Sequence, residues 1–142
     1  MPGIDENVTF RPINIAVMTV SDSRSLGDDK SGGILVQRIT DYGHNLVDRA
    51  ILIDDIAKIK TQLQSWIVDN GVEVVISTGG TGVTGRDVTP EAFAEVYEKE
   101  IAGFGEVFRQ ISYKFIGTSV SYTHLRAHET SLHLVCRLLL EK

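Results

Sequence analysis

The amino-acid sequence predicts an α/β fold of three layers, a mostly parallel sheet with helices on both faces. Three observations predict it. Short apolar runs alternate with longer segments whose apolar residues recur at helical spacing. The run Val72-Glu73-Val74-Val75-Ile76-Ser77 is apolar enough to be buried on both faces, as strands of a parallel sheet are. A glycine-rich loop follows that run, at the carboxyl edge where such sheets bind ligands.

The elements follow in order. Ile13 to Val20 reads as a buried strand, bounded by Pro12 and by Ser21-Asp22. Ser23 to Lys30 is polar, contains a glycine and reads as a loop, with Asp28 and Asp29 solvated. Ser31 is placed to cap a helix through Ile34, Leu35, Ile39 and Tyr42, stopped at Gly43. Asn45 to Ile53 reads as the second strand. Ile56 to Asn70 reads as an amphipathic helix through Ile59, Leu63, Trp66 and Ile67, stopped by Asn70-Gly71. The third strand is Val72 to Ser77. Thr89 is placed to cap a further helix with Pro90 as its first residue, running through Phe93 and Val96. Glu95 to Glu106 looks helical, with Gly103-Phe104-Gly105 as a break, and Val107 to Phe115 reads as helix again. The connections are expected to be right-handed crossovers.

The 142 residues suffice for one domain with a single core. Hydrophobic content of 42% and charged content of 23% are those of a globular chain. A net charge of −5 argues against a nucleic-acid partner, because a phosphate backbone demands a basic face. No apolar run has the length of a membrane-spanning helix, so no membrane partner is expected. Met1 to Glu6 is polar and acidic, unlike a signal peptide, and the lone cysteine, Cys136, cannot form an internal disulfide. A cytoplasmic setting is the expectation.

The residues that carry chemistry are expected just after the strands: Ser21-Asp22, Asp54-Asp55 and the loop from Thr78 to Asp87. Glycines there let the backbone approach a ligand and turn its amides toward an anion. Gly80 to Gly85 also fits the dinucleotide pattern G-x-G-x-x-G, but it follows the third run rather than the first, and no acid ends a following strand. The same loop fails as a nucleoside-triphosphate P-loop, since Arg86-Asp87 stands where Lys and Ser or Thr are required. Carboxylates converging at this edge could hold Mg²⁺ through oxygen ligands beside a phosphate. The plainer reading of Asp54 or Asp55 is a helix cap before Ile56, and that of Asp22 is a turn former.

The stretch from Ser77 to Ala92, Ser-Thr-Gly-Gly-Thr-Gly-Val-Thr-Gly-Arg-Asp-Val-Thr-Pro-Glu-Ala, resembles the signature of the MoaB/Mog family of molybdenum-cofactor biosynthesis proteins. Ala16 to Ser21, Asp48 to Ile53, Gly103 to Arg109 and Phe115 to Ser119 are similar to it as well. The likeness runs from about Phe10 to Ser119 and is closer to the MoaB branch. It implies a three-layer domain assembled as a homotrimer or homohexamer. It implies molybdopterin as ligand, adenylylated on its terminal phosphate by Mg-ATP in active members and only bound in others, as by a carrier. By motif, Thr78, Gly79, Gly80, Thr81 and Gly82 would bind the pterin phosphate or nucleotide, with Arg86 on phosphate. Asp87 and Asp54 would be the catalytic and magnesium-holding aspartates, with Asp55 the alternative to Asp54. Ser21 and Asp22 would line the pocket.

The likeness stops at Ser119, which sets the domain as residues 1–119 with its family C-terminal part missing, followed by a tail of residues 120–142. Three of the four histidines, His124, His128 and His133, and Cys136 lie in the tail. They suggest a metal site only weakly, since no H-E-x-x-H or C-x-x-C pattern is present. Leu132, Val135, Leu138 and Leu139 would suit an amphipathic helix. A third reading is of another kind. The run Val120-Ser121-Tyr122-Thr123-His124-Leu125-Arg126-Ala127-His128-Glu129-Thr130 is the one-frame translation of a widely used transposon-end sequencing adapter. On that reading the tail is translated adapter with no evolved function.

Overall fold

A computed structural model of the chain describes residues 7–80, 84–98, 103, 106, 107, 110 and 111. The expectations for Thr81, Gly82, Phe115 to Ser119 and the histidine-bearing tail lie outside the described residues, as does most of the helix read over Val107 to Phe115.

The elements alternate β1 (Asn14–Val20), α1 (Lys30–Asp41), β2 (Asn45–Leu52), α2 (Ile56–Val68), β3 (Val74–Gly79) and α3 (Thr89–Ala94). The three strands form one parallel sheet in the order β2-β1-β3. β1 is therefore central and hydrogen-bonded on both edges. A register shift between Ile15 and Ala16 interrupts its pairing with β2.

Alternation along the strands divides the core in two. Ala16, Met18, Val20 and Val75 pack with Ile59, Leu63 and Trp66 of α2 and Ala92 and Phe93 of α3. Ile15, Val17, Val74 and Ile76 pack on the opposite face with Ile39 of α1. The result is the expected three layers, α1 on one face and α2 with α3 on the other. Ile15, Ala16, Val17 and Met18 are fully buried, so the central strand carries much of the apolar area removed from water. Among the described residues, no helix is long and apolar enough to cross a membrane.

Several boundaries differ from the sequence reading, each for a tertiary reason. β3 starts and ends two residues later than expected, because its register against β1 runs from Val74 to Gly79. α2 ends at Val68, with Asp69 extended at its C-cap. α3 begins with Thr89 itself, with Val88 at the cap position and no side-chain cap bond. It ends at Ala94, so the expected continuation of helix through Glu95 is not formed.

The largest correction concerns Asp29. It is not solvated; it is 4% exposed and supplies the cap of α1 that Ser31 was expected to supply. Its Oδ1 accepts from the Gly32 N–H at 3.0 Å. Its Oδ2 accepts from the Thr19 hydroxyl at 2.6 Å and from Arg49 Nη2 at 2.9 Å. Gly32 must be glycine for this, since a Cβ there would come within 2.1 Å of Asp29 Oδ2 and 2.6 Å of Thr19 Oγ1. The cluster ties α1 to β1 and β2 across the α1 face. Asp28, in contrast, is exposed as expected.

Burial alone would raise the Asp29 carboxyl, but the Thr19, Gly32 and Arg49 hydrogen bonds outweigh it and hold it below the ordinary value of 3.8. A group with a depressed folded pKa contributes stability above its unfolded pKa and loses that contribution as pH falls through the folded one. Acid titration is thus expected to weaken the fold below the usual aspartate range. Asp29→Ala should cost about 3 kcal/mol in denaturant unfolding at neutral pH, through the stranded Arg49 charge and the lost cap. A cost below about 1 kcal/mol, the range of a surface pair, would show the cluster to be incidental.

Candidate functional site

Parallel pairing places the carboxyl ends of all three strands at one edge, and the sequence-predicted residues gather there. Ser21 leaves β1 with its N–H donating to the Leu52 carbonyl at 2.7 Å, which binds the β1 and β2 exits together. The Asp22 carboxylate is not occupied in a local turn. Its Oδ1 accepts the Asp54 N–H at 3.1 Å, and its Oδ2 pairs with Arg86 Nη2 at 2.5 Å. One side chain thereby links the β1 exit to the β2 exit and to the loop after β3.

The two adjacent aspartates separate in role. Asp55 Oδ1 accepts from the Lys58 N–H at 2.9 Å and caps α2. The capping reading therefore holds for Asp55, and Asp54 is left to face the β3 exit. Asp87 closes the glycine loop on itself. Its N–H donates to the Thr84 carbonyl at 3.1 Å, and its Oδ2 accepts the Thr84 hydroxyl at 2.5 Å and the Thr84 N–H at 3.2 Å.

Gly79 and Gly80 adopt φ of +90° and +62°, the left-handed region in which a side chain is strained. Space forbids a side chain as well. A Cβ on Gly79 would lie 2.1 Å from the Val20 carbonyl oxygen. A Cβ on Gly80 would lie 2.1 Å from Thr89 Oγ1 and 2.5 Å from Asp54 Oδ1. The turn is pressed against β1 on one side and against Asp54 and Thr89 on the other. The Thr89 N–H fixes it further by donating to the Gly80 carbonyl at 3.2 Å. Thr78, the last residue of β3 but one, is half-buried. Thr89 is the member that sequence reasoning placed elsewhere, as a helix cap. Only its contact with Gly80 reveals it as part of this edge.

The electrostatics single out Asp54. Burial pushes its carboxyl above 3.8, and the negative charges of Asp22 and Asp87 push it further. The Val88 backbone N–H and the Arg86 charge work against the rise and do not cancel it. Among the described residues, Asp54 Oδ1 and Thr89 Oγ1 are buried without a hydrogen-bond partner. Arg86 pairs with Asp22 and also acts on Asp54, whose Oδ1 has no hydrogen-bond partner among the described residues. Among the described residues, no three acidic, histidine or cysteine side chains are grouped closely enough to hold a metal ion, so these carboxylates offer oxygen ligands without forming a complete metal cage.

An apolar groove of about 310 Å³ lies elsewhere, between α2, β3 and α3, lined among others by Leu63, Trp66, Val75 and Phe93. None of the sequence-predicted site residues lines it.

Comparison with known proteins places this edge in context. The sequence model of a family described as "Probable molybdopterin binding domain" matches residues 16–136. "Molybdenum cofactor biosynthesis protein B" of Escherichia coli (strain K12) is 44% identical over 110 residues, 78% of this chain and 65% of that protein. Its namesake from Staphylococcus aureus (strain MRSA252) is 41% identical over 114 residues, 78% of this chain and 67% of that protein. The chain thus spans about two thirds of the length of the curated relatives it matches. A crystal structure of "Molybdenum cofactor biosynthesis protein B" superposes with a TM-score of 0.72 at 39% identity, covering 78% of this chain and 70% of that one. The "tungsten cofactor synthesizing protein MoaB" of Pyrococcus furiosus superposes with a TM-score of 0.66 at 35% identity, covering 80% and 70%.

The raised pKa of Asp54 has a consequence for stability. A carboxyl whose folded pKa is raised favours the fold below the ordinary aspartate range, and that support is lost as pH rises through the folded pKa. At neutral pH the ionised Asp54 therefore works against folding. Asp54→Asn should raise Tm at neutral pH, and the gain should shrink on acidification. An unchanged or lower Tm at pH 7 would remove the charge strain inferred at this edge.

Proposed function

The chain belongs to the molybdopterin-binding domain family and is of its MoaB kind, and from that membership we propose that it binds molybdopterin and transfers an adenylyl group to it from Mg-ATP. The observation that carries the reading is Asp54 set against Gly80, with the charges of Asp22 and Asp87 acting on it and one carboxylate oxygen without a partner among the described residues.

The chemistry follows from what each residue offers. The left-handed glycine turn lets a phosphate come close to the backbone at the end of β3. Arg86 is 80% exposed, so its ion pair with Asp22 is weak and an incoming phosphate can recruit the guanidinium at little cost. Thr78, Thr81 and Gly82 complete the phosphate-binding stretch in this reading, and Ser21 lines the pocket beside Asp22. Asp54 and Asp87 hold magnesium, which when bound neutralises the charge on the phosphates. A terminal phosphate oxygen of molybdopterin, aligned by the loop, attacks the α-phosphorus of ATP. The new bond is a phosphoanhydride, and the bond to the β-phosphate breaks with release of pyrophosphate.

The purified chain, given molybdopterin and Mg-ATP, should form adenylylated molybdopterin and pyrophosphate in equal amounts. Asp87→Asn should abolish turnover while leaving molybdopterin affinity within about threefold, because it removes transition-state rather than ground-state binding. Binding of molybdopterin without ATP turnover in the parent chain would replace transfer with a carrier role. Loss of binding in the variant would make Asp87 a ligand contact.

We propose also that the family domain ends near Ser119 and that Val120 to Lys142 is translated adapter. What supports this is the eleven-residue coincidence of Val120 to Thr130 with that adapter; the family match running to residue 136 is what the test must set aside. Amplifying the 3′ end of the gene from source DNA should recover a different, family-like continuation. Recovery of the same tail would make it native.

A further inference from the structure

Two arginine–aspartate pairs in this chain differ in character. Arg49 and Asp29 meet at 2.9 Å with the Asp29 side chain wholly enclosed and Arg49 only 21% exposed. Arg86 and Asp22 meet at the carboxyl edge of the sheet with their side chains 80% and 38% exposed. Arg86 reaches Asp22 through Nη2 alone. A guanidinium carries five N–H donors in a fork shaped for two parallel bonds to an oxyanion, so this pair leaves most of the fork unused. Asp22, by contrast, is held in place without Arg86. Its other oxygen, Oδ1, accepts the Asp54 N–H at 3.1 Å. The carboxylate is the fixed member of the pair, and the guanidinium is the member that can leave.

We propose that Asp22 is the resident counter-ion of Arg86: its carboxylate competes with a ligand phosphate for the guanidinium, and so lowers phosphate affinity and speeds phosphate release. The exchange favours phosphate, which offers three oxygens and up to two charges to a fork that the carboxylate engages through one nitrogen. It is reversible, because an exposed ion pair is weak in either direction. Recapture is prepared, because Asp22 stays on the Asp54 N–H while Arg86 is away. A carboxylate that merely tied the loop after β3 to the β1 exit would strengthen phosphate binding by keeping the loop in place. A competitor weakens it, so the sign of the effect separates the two roles. The inference rests on the reading of Arg86 as a phosphate contact, and its place in turnover rests further on adenylyl transfer.

Asp22→Asn discriminates, since asparagine keeps an oxygen for the Asp54 N–H and brings no charge to Arg86. In calorimetric titration with inorganic pyrophosphate, the variant should bind about threefold more tightly than the parent, the scale of one exposed ion pair removed from competition. In an Arg86→Gln background the same substitution should change affinity by less than about 1.5-fold. Unchanged or weaker binding in Asp22→Asn overturns the proposal and leaves Asp22 a structural tie. An equal gain in both backgrounds also overturns it, since general charge repulsion would then explain the gain. Binding that Arg86→Gln leaves intact, or no binding by any of these chains, removes Arg86 from the phosphate and takes the underlying reading with it. A crystal structure of the parent chain with pyrophosphate bound needs no variant. Arg86 should lie on a phosphate oxygen with Asp22 still on the Asp54 N–H, and Arg86 remaining on Asp22 overturns the exchange. In the adenylylation assay Asp22→Asn should lower KM for Mg-ATP about threefold without raising kcat, and a raised KM overturns competition. A parent chain without turnover defeats adenylyl transfer alone, and the pyrophosphate titrations still decide the inference.

Discussion

The carboxyl end of β1 is the constraint from which the rest of this structure takes its place. β1 is paired on both edges, and its residues from Ile15 to Thr19 are wholly removed from solvent. A strand so enclosed cannot shift register by one residue without moving each side chain into the packing of the opposite face. Its exit, Val20-Ser21-Asp22, is consequently a fixed point. Ser21 holds the β2 exit, the Val20 carbonyl abuts Gly79, and Asp22 reaches Asp54 and Arg86. The site is built by three neighbouring strand ends closing around that point.

Two aspartates show how burial is tolerated in different ways. Asp29 is buried on the α1 face with three donors on its two oxygens, and it stays ionised below the ordinary range. Asp54 sits at the β2 exit on the face of α2 and α3, with like charges nearby and a bare oxygen, and its pKa rises. The first is a structural bolt, since one oxygen caps α1 while the other holds it to β1 and β2. The second is a reactive arrangement, since its charge is unmatched until something positive arrives. Strain of this sort at a ligand edge is common where function demands it.

Glycine 80 joins these arguments. Its left-handed backbone carries the chain past the end of β3 while Asp54 and Thr89 close in from the other side. The constraint is steric on two counts, dihedral and spatial, because Asp54 and Thr89 leave no room there for a Cβ. The glycine signature is thereby a statement about what must not be present as much as about what the amides can bind.

The sequence by itself determined the class of the fold, the three strands, the helices between them and the edge on which the chemistry lies. It could do so because these are set by apolar periodicity, by cap and stop residues and by the rule that parallel sheets bind at their carboxyl ends. The strip from Ser77 to Ala92 was legible for the same reason: its glycines and acids are contiguous in the chain. What only the tertiary structure decided were pairings across long sequence distances. That Asp29 is buried depends on Thr19 and Arg49, which lie on two different strands. That Asp55 caps α2 while Asp54 faces the glycine turn depends on the approach of Gly80 from the end of β3. That Thr89 belongs to the site rather than to its helix depends on Gly80 folding back over it. In each case the local pattern admitted two roles, and a contact between residues distant in the chain chose between them.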